Sequence, residues 1–232
     1  MFQPALRAAL GAVALAAACG SAQAATVTLD GFAYDRSPTV HTSMYDGRAG
    51  AFAGTLSNAG AFSTDDFITY CVQLSEEVSF GKTYQYDIVA GTSYFGAAKA
   101  DLLGRVMTYA TLNPDGYSGG LNGWGMVGAL QLAIWNVIYD TDLSATSGKF
   151  ATDKKNDAYG KGANVILTGA SKLKDSIYDV YALSAKGVQD LLLVSLKDSG
   201  GGGGSNVPEP GTAALALLAL GAAGAGLRRR KA

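Results

Sequence analysis

An α+β domain is what this 232-residue chain predicts, with an antiparallel, sandwich-like β framework that carries a helical insertion of two to three helices. Three observations predict it. Apolar residues alternate with polar ones in several early segments, which is the period of a half-buried strand. They then recur at every third and fourth position through the middle of the chain, the period of an amphipathic helix. Finally the alternation returns. Strands, then helices, then strands is an α+β order.

The elements follow in sequence. Residues 25–29 alternate Thr and Val and form a first strand, while 34–58, rich in Gly, Ser and Thr, hold short strands and loops. Residues 66–74 place Phe67, Ile68, Tyr70, Val72 and Leu74 in a strand, and 82–90 repeat Tyr84, Tyr86 and Ile88 in another. A helix is expected over 94–112, from Leu102, Leu103, Val106, Met107 and Ala110, and Asn113-Pro114-Asp115-Gly116 stops it. A second helix over 125–139 carries Val127, Leu130, Ile134, Trp135 and Ile138, and a weaker third covers 154–169. Residues 178–183 and 188–196 read as strands again.

Both ends lie outside this domain. Arg7, the uncharged run 8–18 and Ala22-Gln23-Ala24 have the layout of a signal peptide, with cleavage expected after Ala24 by a signal peptidase. The run is too short for a stable membrane span. A lipidated Cys19 is the rival reading, but Ala16 stands where such signals usually carry leucine. The folded domain is expected over 25–198. Gly200 to Gly204 then make 199–206 a flexible tether that cannot pack a core.

The tail, 207–232, has three parts in order: Pro208-Glu209-Pro210, an uncharged apolar stretch over 211–227, and Arg228-Arg229-Arg230-Lys231. As a helix the stretch rises roughly 25 Å, a marginal span, and the basic cluster would hold the C-terminus on the cytoplasmic side. Transient membrane anchoring through 211–227 follows. This order of parts resembles the PEP-CTERM sorting signal of Gram-negative bacteria. The resemblance implies recognition by an exosortase, removal of the helix, and delivery to the cell envelope, outer surface or extracellular matrix, in company with exopolysaccharide and biofilm.

Composition narrows the function. The chain carries 18 basic and 19 acidic residues. Without Arg7, Glu209 and the four terminal basic residues, 13 basic and 18 acidic side chains remain, about −5 for the mature domain. That charge disfavours nucleic acid and anionic membrane surfaces as partners. His41 is the only histidine, so no multi-histidine metal site exists, and no cofactor motif appears. A nucleophile built from Cys71 and His41 has no supporting signature around it. The adjacent carboxylates Asp65-Asp66 and Glu76-Glu77 point to opposite faces of a strand and read as solvated.

Cysteine usage poses a sharper question. After signal removal Cys71 is the one thiol left, so no internal disulfide can form in an oxidising compartment. It is either buried and inert or chemically committed. Gln131 poses the matching puzzle. It lies in Leu130-Gln131-Leu132-Ala133-Ile134-Trp135, a stretch that asks for burial, and a buried amide without partners costs a few kcal/mol.

Tyr70-Cys71 followed by Leu130-Gln131-Leu132-Ala133-Ile134-Trp135 resembles the two motif elements of the thioester domains of bacterial surface adhesins, in the same order. The resemblance implies that the Cys71 sulfur and the Gln131 acyl group join with loss of ammonia. Tyr70 and Trp135 would then form the apolar surround that keeps water off the bond. It further implies stoichiometric, non-enzymatic capture of an amine-bearing target at the surface. The alternative from the residues themselves is a non-covalent structural protein of the exopolysaccharide matrix, with Cys71 and Gln131 as core residues.

Overall fold

A computed structural model describes residues 24–197, apart from 36, 115–122, 141 and 154–156. The signal segment, the glycine tether and the sorting tail, including Pro208 to Pro210, 211–227 and Arg228 to Arg230, lie outside the described residues.

Six strands form one antiparallel sheet in the order β5-β4-β1-β6-β7-β8. The strands are β1 (Ala25–Phe32), β4 (Phe52–Ser57), β5 (Thr64–Thr69), β6 (Thr83–Ala90), β7 (Tyr178–Ala185) and β8 (Val188–Leu196). Two short strands, β2 (Thr39–His41) and β3 (Asp46–Arg48), pair as a separate hairpin. The α+β class holds, with an antiparallel framework and a helical insertion between β6 and β7. The antiparallel framework is a six-stranded sheet curled into a half-barrel. The inner face follows from alternation: Ala25, Val27 and Leu29 of β1 are fully buried, with Thr26 and Thr28 turned outward.

Small residues permit the curl. A side-chain carbon on Gly54 of β4 would stand 2.0 Å from the carbonyl oxygen of Thr28 on β1. The β1–β4 register shifts between Leu29 and Gly31, and the β4–β5 register between Gly54 and Leu56. Such bulges bend a sheet.

The helices are α1 (Gly91–Tyr94), α2 (Ala97–Leu112), α3 (Gly123–Tyr139) and α4 (Ala158–Lys172). The segment expected as one helix over 94–112 is divided at Gly96, whose φ of 84° lies in the left-handed region that a helix cannot pass through. The weak third helix begins at 158 rather than 154. Its start is set by Asp157, whose carboxylate accepts from the backbone N–H groups of Tyr159 and Gly160 at 3.2 and 3.1 Å. Asp157→Ala is expected to cost about 1 kcal/mol, read as a fall in Tm of roughly 2–4 °C.

α3 is apolar on nearly every side, and such a helix must lie inside the molecule. Every residue from Val127 to Val137 is buried. α2 and α4 pack on it, and Gly128 lets Pro38 approach so closely that a side-chain carbon would meet the proline ring at 2.3 Å. The polar residues of α3 are therefore carried into the core by the helix as a whole.

Candidate functional site

The site begins where the strand expected over 66–74 leaves its sheet. β5 ends at Thr69, and the next three residues cross to β8 at the far edge. The Val72 N–H donates to Asp190 O at 3.1 Å, and the Leu192 N–H donates to Tyr70 O at 2.9 Å. Thr69 Oγ1 adds a bond to Leu192 O at 2.7 Å. These bonds bring the two edges of the half-barrel together at one end.

The crossing leaves Cys71 half-paired. Alternate residues of a strand direct their N–H and C=O to opposite sides. The Tyr70 carbonyl and the Val72 N–H are spent on β8, so the N–H and C=O of Cys71 face the other way, beyond the end of β4. No strand is there. Gln131 of α3 fills the position. Its Oε1 accepts from the Cys71 N–H at 2.9 Å, and its Nε2 donates to Cys71 O at 2.8 Å. One carboxamide thus supplies the acceptor and donor that a neighbouring strand would have offered. Cys71 is 5% exposed and Gln131 fully buried, so these bonds form away from water. The two residues singled out from the sequence, 60 positions apart, are brought together.

The surround is dry. Tyr70 and Trp135 are both buried, in the same core as Cys71. Trp135 sits one turn beyond Gln131 on α3, and its Nε1 is buried with no hydrogen-bond partner. The ring of Tyr45, from the β2–β3 hairpin, lies against Trp135 with centroids 4.9 Å apart, and Phe150 lies on it at 6.2 Å. Burial pushes the Tyr45 hydroxyl up, and Cys71 adds to the shift. Tyr139 of α3 donates to Val72 O at 3.2 Å. Burial likewise pushes the Cys71 thiol well above its ordinary range, so a free thiol here would stay protonated at neutral pH.

Sequence reasoning missed several of these residues. Tyr45 sat in a segment read only as short strands and loops. Gln73 proves to be a strand tie, its Oε1 accepting from the Asp190 N–H at 3.1 Å and its carbonyl from Gln189 Nε2 at 3.1 Å. Asp190 is a buried carboxylate that accepts from Ala185 N–H at 2.8 Å, from Ser184 Oγ at 3.2 Å and from the Tyr94 hydroxyl. His41 is engaged elsewhere, with Nδ1 2.9 Å from Asp46 on the exposed hairpin. Asp65 and Asp66 are exposed, as read.

Among the described residues no group of three or more His, Cys, Asp and Glu side chains could hold a metal ion, and no helix is long and apolar enough to cross a membrane. Comparison with known protein families gives a match at the C-terminus. Residues 206–231 match the PEP-CTERM protein-sorting motif. The chain carries a PEP-CTERM sorting signal. It is therefore exported, processed by an exosortase and associated with the cell surface. No curated protein and no solved structure matches the chain. These comparisons do not support the resemblance to thioester-domain adhesins, which is carried by the residues of the folded domain alone.

Proposed function

We propose that this surface-sorted protein ties itself covalently to an amine-bearing target through an internal thioester between Cys71 and Gln131. One observation carries the reading: the backbone of Cys71 holds both ends of the Gln131 carboxamide in a pocket closed to water. The carboxamide is thereby fixed on the residue that bears the sulfur, which is the positioning an intramolecular acyl transfer requires. The Cys71 N–H is also aimed at Oε1, where negative charge develops when the acyl carbon is attacked.

The chemistry balances as follows. The Cys71 sulfur attacks Cδ of Gln131, a C–S bond forms, the C–N bond breaks, and the thiol proton leaves with nitrogen as ammonia. Later a target amine attacks the same carbon and forms an amide. The C–S bond breaks, and the sulfur leaves and regains the proton that the amine sheds. Each chain reacts once, so this is capture rather than turnover. Burial keeps water from competing with the amine. The sorting tail supports a place for this capture among exopolysaccharide at the envelope or outer surface of a Gram-negative cell.

A second reading is favoured by the same two bonds. The Gln131 amide and the Cys71 backbone satisfy each other without further chemistry, as a non-covalent matrix protein would require. Intact mass separates the two. The covalent reading expects the exported protein to be lighter by one ammonia, with the deficit abolished in Cys71→Ala. Methylamine should then add one methylamine in place of the missing ammonia. Full mass in the wild type, with an alkylatable thiol after unfolding, would overturn the thioester and leave the matrix reading.

A further inference from the structure

A bond sealed from water is also sealed from its target. Cys71 is 5% exposed and Gln131 fully buried, so an amine reaches the acyl carbon only if some part of the surround moves. Most of that surround is fixed by backbone. Residues 70–72 are tied to β8 by main-chain hydrogen bonds, and α3 runs through the core. Tyr139 is half-buried, but it stands on α3 and its hydroxyl is spent on Val72 O.

The β2–β3 hairpin is held differently. Its strands have three residues each and pair with one another, not with the six-stranded sheet. A two-stranded ribbon has little stability of its own. Tyr45, in its turn, is half-buried; its ring lies on the buried Trp135, and the Cys71 thiol is near enough to act on its hydroxyl. Tyr45 is anchored within the hairpin, with its hydroxyl donating to Arg48 O at 3.0 Å and its N–H to Thr42 Oγ1 at 2.9 Å. It therefore moves with the hairpin as a unit. A short clip to residues 149–153 holds the tip down. The Ser43 N–H donates to Ala151 O at 2.7 Å, and Ser43 Oγ donates to Lys149 O at 2.6 Å and accepts from the Ala151 N–H at 3.0 Å. Ser43 is exposed, so water can replace these bonds at little cost.

We propose that this hairpin is the lid through which the target amine enters, with Tyr45 as the stopper that sets the rate of access to Cys71 and Gln131. The chemistry behind the lid rests on the thioester reading, whereas the lid itself is a property of the fold. When the hairpin lifts, Tyr45 leaves Trp135 and water or an amine can follow. Trp135 Nε1, buried without a partner in the closed arrangement, then gains one from solvent, which lowers the cost of opening. Aminolysis and hydrolysis of the bond both scale with the fraction of open molecules. A rarely open lid thus preserves the bond in water until a target is held close enough to enter during an opening.

The rate of methylamine uptake by the native exported protein, followed by intact mass, tests it. Tyr45→Ala should raise the rate roughly tenfold or more, because the ring contact with Trp135 is lost. Tyr45→Phe, which keeps the ring, should restore most of the slow rate. Ser43→Ala, at an exposed position, removes two bonds of the clip and should raise the rate about threefold. Asp157→Ala removes the cap of α4 instead and should leave the rate as in wild type. Wild-type rates in both Tyr45→Ala and Ser43→Ala would overturn the lid, as would an equal acceleration in Asp157→Ala. A wild type of full mass ends the thioester but not this test. Alkylation of the native Cys71 thiol by iodoacetamide then reads the same opening, with the same order of variants expected and the same results overturning it.

Discussion

Gln131→Leu is expected to leave the domain unfolded or nearly so. The substitution keeps the volume but removes both partners of the Cys71 backbone, leaving a buried N–H and a buried C=O unsatisfied. Each costs about 1–3 kcal/mol. Under the covalent reading Nε2 has already left as ammonia, so the substitution removes instead the bond from the Cys71 N–H to Oε1 and a cross-link between residues 60 apart. By the chain-entropy argument used for disulfides, a link closing a loop of that length is worth about 4 kcal/mol. The combined loss rivals the 5–15 kcal/mol by which whole domains are stable. Cys71→Ala is the informative companion, because it keeps the backbone bonds and loses only the sulfur. It should cost about 4 kcal/mol if the link exists and about 1 kcal/mol if Cys71 merely packs. Urea unfolding midpoints distinguish these values. Methylamine-treated wild type should match Cys71→Ala in the first case and be unchanged in the second.

The second large effect is expected at Gly54. Its added carbon would meet Thr28 O at 2.0 Å and Leu29 Cα at 2.8 Å, and both are backbone atoms of the paired strand. No rotamer change relieves that overlap, so β1 and β4 must separate. Gly54→Ala should therefore cost about 3 kcal/mol or more, measured by denaturant unfolding. Gly31→Ala is the control on the neighbouring strand. Nothing lies within 4 Å of its added carbon, and the change should fall within about 0.5 kcal/mol of wild type.

Part of this architecture was legible in the residues and part was not, for physical reasons. The alternation in 25–29 marked an inner face because solvent touches only one side of β1. Gln131 stood out because a lone amide in an apolar helix must find partners, and it does. The destination of Tyr70 to Val72 was not legible. A period-two pattern reports which face is buried but not which strand lies alongside, so 66–74 read as one strand when its last part pairs elsewhere. Tyr45 was hidden for a related reason: its role comes from a hairpin laid over Trp135, a contact between segments far apart in sequence.

The junction at residues 70–72 also bears on timing. Those residues are held by Asp190 and Leu192 of β8, the last strand of the domain, so the nook around Cys71 stays unfinished until almost the whole domain is present. A chain threading outward from its N-terminus would deliver the sulfur first, the amide next and the closing strand last. Under the covalent reading, bond formation would thereby be deferred until almost the whole domain has been exported, and amines inside the cell would not meet an assembled trap.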